Sequence, residues 1–406
     1  MFALSTAAAW LLAVASASPI LKRTVSLCPA IKNGTINIDS YQLYPENVDF
    51  NEQSCLLCVE ERQYGLRPNH IGSLFNASVV VYDPYQGDQG AIVSTIEFPN
   101  ITRTAPFHIG AVAWNPYPDL SQPGPIDEVT ILVDSAAAHE TAGKDVSGDN
   151  LLIRWSAAAQ SVMWTTNLTD VTKLRYGGLQ DIEHDRDGNT YVLGTYPGTL
   201  LRVPRTGGPA QEWYVPRGTR NGNGNTTIDH HVTGYTGFAA INGTTLLVAD
   251  ARNGSASGGA LYKFDMSAAK GVPTAVPISY PSRPSPSLSV IRPGDAIYLP
   301  PKYDSEILLI SEHETGVSVL RSRTTRTAAG KKEQWRSAEF LGRIRNPADV
   351  AASGGVVTAA VEMAGRVYMV EEWFADSLVL GTSAGNRTSF PLVEITAQLD
   401  ALVKKG

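Results

Sequence analysis

Phe107-His108-Ile109-Gly110-Ala111-Val112-Ala113-Trp114 is a polar opening followed by an alternating apolar strand, and the pattern returns along the chain. It recurs as Pro45-Glu46-Asn47-Val48-Asp49-Phe50, as Leu179-Gln180-Asp181-Ile182-Glu183-His184-Asp185 and as Thr233-Gly234-Tyr235-Thr236-Gly237-Phe238. Two further copies are Pro293-Gly294-Asp295-Ala296-Ile297-Tyr298 and Asn346-Pro347-Ala348-Asp349-Val350. Successive starts lie about 50 to 75 residues apart, the length of one four-stranded blade with its loops. The repeat predicts an all-β chain, a six-bladed β-propeller with a central polar channel.

The second strand of each unit is read from the β-branched runs Ser78–Asp83, Thr190–Thr195, Thr245–Asp250, Glu306–Ser311 and Val356–Val361, each bounded by turn residues. Third strands follow at hairpin distance, as in Gly198–Val203 and Gly259–Phe264. A weak helical period is confined to the stretch near Leu399 to Val403. The ring closes only if the chain ends share a blade, so either Thr35–Ile38 or Pro391–Ile395 is expected to complete the last one, leaving no open edge. The Pro/Ser-rich Ser279–Ser289 and Gly/Asn-rich Arg217–Thr227 read as loops and as candidate rims of a site.

The N-terminus carries an apolar run through Ala7, Trp10, Leu11, Leu12 and Val14 that ends in Ala15-Ser16-Ala17. Residues 1–17 therefore read as a signal peptide and 18–406 as a single propeller domain, in a protein of the secretory pathway that is secreted or held in a vesicular compartment. No later stretch approaches the roughly 20 apolar residues of a membrane helix. Asn-x-Ser/Thr sequons at Asn33, Asn76, Asn100, Asn167, Asn225, Asn242, Asn253 and Asn386 make the chain a candidate glycoprotein, each used site lying on the surface.

The chain has three cysteines, Cys28, Cys55 and Cys58. In a strand, Cys55 and Cys58 would stand about 10 Å apart and face opposite sides. A disulfide needs Cα atoms within about 7 Å, so Cys28 is expected to pair with one or the other, in preference to a metal site built from three thiols. At a formal charge of -6 with 18% charged residues there is no basic stripe, which argues against a nucleic-acid partner.

The openings converge on the channel axis and bring together Glu46, His108, Asp181, Tyr235, Asp295 and Asp349, with Asn47, Asp49, Gln180, Glu183 and Asn346 close behind. Polar residues of any propeller channel satisfy backbone groups and water. Four carboxylates with a His and a Tyr exceed that need. Crowded carboxylates raise one another's proton affinity, which favours a bound cation or a protonated acid ready for catalysis. Ca²⁺ is the cation that such oxygen ligands suit, with Glu46 and Asp181 as half of a site. Asp181 through Val192 resembles the blade motif of the gluconolactonase and senescence-marker-protein propellers, which implies a divalent cation held by a Glu, two Asn and an Asp. Glu46 and Asp181 match in type, whereas His108 and the Thr233–Tyr235 stretch stand where the Asn residues are wanted.

The chain has no His-Glu-x-x-His pair or nucleotide loop. His230-His231 reads as a solvated loop pair. Trp373 and Phe374 read as blade-packing aromatics before substrate platforms.

Cys28-Pro29, Tyr44-Pro45-Glu46-Asn47 and Gly72-Ser73-Leu74-Phe75-Asn76 before Val79-Val80-Val81-Tyr82-Asp83, with the leader and the total length, resemble a fungal group of secreted-type propellers from natural-product gene clusters. That group includes the trichothecene-cluster propeller protein and the hetero-Diels-Alderases of tropolone-sesquiterpenoid biosynthesis. The resemblance implies a cofactor-free cyclase or pericyclase acting on apolar terpenoid and polyketide small molecules, joining an o-quinone methide to a humulene-type sesquiterpene to give a meroterpenoid. By position, Glu46, Asp181 or Asp295 would supply the proton, and His108 and Tyr235 would orient the oxygenated ring. The competing expectations are a metal-dependent lactonase-like hydrolase and a non-catalytic binding propeller.

Overall fold

Strands buried along their whole length sit in the middle of the blades. Ser78–Asp83, Thr190–Tyr196 and Ile307–Glu312 are buried at every position. Neighbouring blades cover both faces of such a strand, and a continuous apolar run is what that environment needs. The peripheral strand Ser161–Asn167 is mostly exposed.

The computed structural model describes residues 28–51, 69–117, 128–220, 226–250, 260–280, 292, 294–326 and 332–405. Blade 1 is Pro45–Asp49, Asn69–Ser73, Ser78–Asp83 and Ala91–Ile96, and blade 2 is His108–Trp114, Glu128–Asp134, Leu151–Ser156 and Ser161–Asn167. Blade 3 is Gly177–His184, Thr190–Tyr196, Thr199–Val203 and Gln211–Tyr214, and blade 4 is Tyr235–Ile241, Thr245–Asp250, Ala260–Asp265 and Thr274–Ala275. Blade 5 is Ile297–Tyr298, Ile307–Glu312, Gly316–Arg326 and Lys332–Ile344, with Ile278–Ser279 added in parallel at its edge. Blade 6 runs Val356–Met363, Arg366–Glu372, Ser389–Glu394 and then Ile36–Asp39. Each innermost strand packs on the next, and that of blade 6 packs on that of blade 1, so the six sheets form a closed ring.

Both chain ends complete blade 6. Ile36–Asp39 pairs with Ser389–Glu394, Ile36 opposite Leu392 and Ile38 opposite Phe390. The Gly34 N–H donates to Glu394 Oε2 at 2.6 Å, and Arg366 holds the other oxygen of Glu394 at 2.7 Å. The closing helix Thr396–Lys405 buries Leu399 against blades 5 and 6, in line with the helical period near Leu399 to Val403.

Two expected strand positions differ. Ser78–Asp83 is the third strand of its blade, because Asn69–Ser73 precedes it. Val356–Met363 is the innermost strand of blade 6, and Asn346–Val350 is not a strand at all. Pro347 is the reason: proline lacks an N–H for a sheet ladder and suits a helix start, so a short helix, Ala348–Ala352, begins there.

Five of the six innermost strands share one irregularity. Their pairing slips at Pro45/Val48, Ile109/Ala111, Leu179/Asp181, Tyr235/Gly237 and Val357/Ala359, near the start of each strand. A bulge adds a residue and re-aims side chains at a rim. Close approach of the blades is possible there because of glycine: a Cβ on Gly237 would lie 2.7 Å from the Asp295 carbonyl oxygen and from the Ile297 nitrogen.

Candidate active site at the channel mouth

Antiparallel pairing returns the end of each second strand to the face where the first begins. His108 lies opposite Asp134, Gly177 opposite Tyr196, and Val356 opposite Glu372. The mouth therefore collects Glu46, His108 and Asp295 from the openings, and Asp134, Tyr196 and Glu372 from the second-strand ends. The short helix Ala137–Glu140 adds His139, the turn after Glu312 adds His313, and the blade 3 bulge adds Gln180.

Asp295 is the hub. Gln180 Nε2 donates to its Oδ1 at 3.2 Å, and His313 Nε2 lies 3.3 Å from its Oδ2. Gln180 is itself held, accepting from Thr195 Oγ1 at 2.7 Å and donating to the Thr236 carbonyl. Burial would lower the His313 pKa, but the hydrogen bond and charge of Asp295, with Glu314 nearby, outweigh it and hold that pKa raised.

The other acids of the mouth are pushed the opposite way. Burial, then the charges of Asp295, Glu372, Asp134 and Asp181, raise Glu46 well above the ordinary carboxylate range. Its Oε2 is buried and has no hydrogen-bond partner among the described residues. Burial likewise raises Glu372 and Asp181, and pushes Asp134 up to about 7 against the Ala136 N–H. His108 is lowered to about 4 by burial and by His139, and His139 is lowered by burial. The mouth thus sets carboxyl groups of raised proton affinity and imidazoles of lowered proton affinity around the Asp295–His313 pair, an arrangement suited to general acid chemistry.

Several residues singled out in the sequence sit elsewhere or do other work. Tyr235 is only 1% exposed and packs with Tyr214, Tyr262 and Phe264 in the core between blades 3 and 4, because its side chain takes the blade face of the bulge. Asp349 is exposed in the first turn of the short helix, since that opening is not a strand. Asp181 spends Oδ1 on its neighbour Ile182 N–H and Oδ2 on Phe238 N–H at 3.0 Å. It latches blade 3 to blade 4, as Glu183 does through Ala240 N–H, and Asp49 latches blade 1 to blade 2 through Trp114 N–H.

Asn346 donates to the Gly355 carbonyl, and His230 Nδ1 lies 2.6 Å from the Gly143 carbonyl. Trp373 is buried beneath Arg387, whereas Phe374 is 46% exposed with its ring 6.2 Å from that of His313. Asn33, Asn100, Asn167, Asn242 and Asn386 are exposed. Asn76 is half-buried and its amide nitrogen donates to the Gln42 carbonyl at 2.7 Å, while Asn225 and Asn253 lie outside the described residues. Cys28 is disulfide-bonded; Cys55 and Cys58 lie outside the described residues.

Asp134, His139, Tyr196, His313 and Glu372 were not anticipated. A signal was present: second-strand runs such as Glu128–Asp134 and Arg366–Glu372 end on an acid, and antiparallel return puts that acid at the openings. Among the described residues no three His, Cys, Asp or Glu side chains gather to hold a metal ion, and Asp181 is committed to backbone. No helix among them is long and apolar enough to cross a membrane.

These shifts predict how stability follows pH. Buried acids with raised pKa stabilise fully below their unfolded values, near 4, and the contribution is lost as pH rises through the folded values, about 7 for Asp134 and about 8 for Glu371. Buried histidines act oppositely: His70, lowered to about 3, and His108, lowered to about 4, lose stability as pH falls below about 6.5. Urea midpoints should therefore peak between about pH 4.5 and 6.5 and decline toward pH 8. A midpoint still climbing at pH 8 would contradict the burial of these acids.

No family model matches the chain. It is 28% identical over 401 residues to trichothecene biosynthesis protein 14 of Trichoderma arundinaceum, covering 93% of this chain and 92% of that one. It is 26% identical over 397 residues to core trichothecene cluster (CTC) protein 14 of Fusarium sporotrichioides, covering 94% and 89%. Among solved structures, the major Malassezia sympodialis allergen Mala s 1 superposes with a TM-score of 0.63 at 15% identity, covering 89% of this chain and 96% of that one, a likeness of fold.

Proposed function

We propose that this chain, similar over nearly its whole length to trichothecene-cluster proteins, is a secreted-pathway enzyme of secondary metabolism that works without a cofactor and closes a ring on an oxygenated, apolar substrate. Its specific reaction is a hetero-Diels-Alder addition. The observation that carries the reading is Glu46, a half-buried residue with a raised pKa whose Oε2 is buried and unpartnered near Asp295.

Glu46 gives its proton to the hydroxyl of a hydroxymethyl group on the substrate ring, the C–O bond breaks and water leaves. Asp295 takes the proton of the neighbouring ring hydroxyl, so a neutral o-quinone methide forms. One C–C and one C–O bond then form across an alkene of the sesquiterpene, with no atom gained or lost. Proton return from Asp295 to Glu46 resets the pair. Binding both partners at one mouth removes much of the entropy cost of their encounter. His108, neutral, orients the ring oxygen, and Phe75 and Phe374 give apolar surface.

The test compares metabolites by mass spectrometry in a host making the hydroxymethyl tropolone and humulene-type precursors, with and without the protein, and repeats the reaction in vitro with a chelator. A single-stereoisomer adduct that survives chelation supports the reading. Unchanged products overturn it, and lactone hydrolysis lost to the chelator would replace it with the hydrolase.

A further inference from the structure

The mouth has more acceptors than donors. Glu46 Oε2 is buried without a partner, and Glu372 is 0% exposed with neither oxygen in a hydrogen bond of normal geometry among the described residues. The cationic side chains nearest them are already engaged. Arg387 donates to both oxygens of Asp376, at 2.9 and 3.0 Å, and stacks 4.1 Å from the Trp373 ring. His313 is paired with Asp295.

A positive charge placed against these unpartnered carboxyl groups would displace a proton and leave the resulting carboxylate paired. A bare metal ion fits poorly, since no three ligand side chains gather among the described residues. The alternative is a charge spread over an organic group, and the surroundings suit one. Phe75 lies 5.3 Å from the His108 ring, and the exposed Phe374 lies against His313. Aromatic faces beside carboxylates are the usual recognition chemistry for organic ammonium ions.

We propose that the channel mouth binds an organic cation, seated between Glu46, Glu372 and Asp295 with Phe75 and Phe374 as its walls. In the reaction above, which this inference rests on, the same seat stabilises the positive charge that builds on the benzylic carbon as water departs. Binding displaces a proton from Glu46 or Glu372. The groups facing Glu46 are Asp134, Asp181, Asp295 and Glu372; those facing Glu372 include Asp295, Asp376 and Arg387.

Titration calorimetry on the full chain with benzyltrimethylammonium, benzyl alcohol and benzoate tests it. The ammonium should bind at least about tenfold more tightly than the alcohol, and benzoate should not bind. The binding heat should change with the buffer's ionisation enthalpy, reporting proton release, and affinity should rise with pH. Glu46→Gln and Glu372→Gln should each weaken the ammonium about tenfold with the circular dichroism spectrum unchanged. Equal affinity for benzoate or the alcohol, no ammonium binding, or insensitivity to both variants overturns the proposal. Ammonium binding by a protein that forms no adduct would sink the cycloaddition and leave the cation seat standing.

Discussion

Replacing Glu46 with Gln should lower adduct formation by a factor of about 10² to 10⁴ while KM changes little, the loss typical of a deleted general acid. The side chain keeps its size and its hydrogen-bonding reach, and only the proton it can give is removed. Burial and the neighbouring acids raise the proton affinity of Glu46 well above that of an ordinary glutamate. Turnover of the unmodified protein should fall as pH rises through that raised value, and the fall should vanish in the variant's residual activity. The variant should be no less stable, because a buried carboxyl with no partner for Oε2 is lost. A turnover within threefold of the parent would remove Glu46 from the chemistry. Asp295→Asn is the companion variant, since it removes the proton acceptor and the pairing partner of His313 together.

Replacing Glu128 with Ala should cost about 3 to 5 kcal/mol of unfolding free energy, the penalty of leaving a buried charge uncompensated. Arg154 is 0% exposed, donates to Glu128 Oε2 at 2.8 Å and to Thr190 Oγ1 at 2.8 Å, and lies over Trp164. Arg205 donates to the other oxygen, Oε1, at 2.9 Å, and Asn115 donates to Oε2 at 2.7 Å. One carboxylate therefore bridges two guanidinium groups between blades 2 and 3. His184 sits in the same network, 2.8 Å from Thr130 Oγ1, held neutral by burial and by both arginines. Urea unfolding measures the loss. The double variant Glu128→Ala/Arg154→Met should recover part of it, because an apolar replacement removes the stranded charge. A loss under about 1 kcal/mol in the single variant would mean that water already reaches this network.

The propeller and its closure were legible in the chain because they follow from period and composition. A polar opening and an apolar strand, repeated at blade spacing, admit few architectures, and two ends with strand character must meet to close the ring. Glu46, His108 and Asp295 were legible for the same reason, as residues at the starts of innermost strands. The fold of Asn346–Val350 was misread, although Pro347 carried the information. Tyr235 and Asp181 could not be placed from the chain, because a one-residue slip turns a side chain to the opposite face and the bulges create just such slips.

Sequence by itself determined the repeat, the ring and a polar axis. Tertiary structure alone decided which acids share that axis. Asp134 and Glu372 reach it only through antiparallel return, and His139 and His313 through the turns beyond. Their protonation is likewise a property of the assembled mouth, since burial and neighbouring charge arise only when six blades bring residues far apart in the chain within reach of one another.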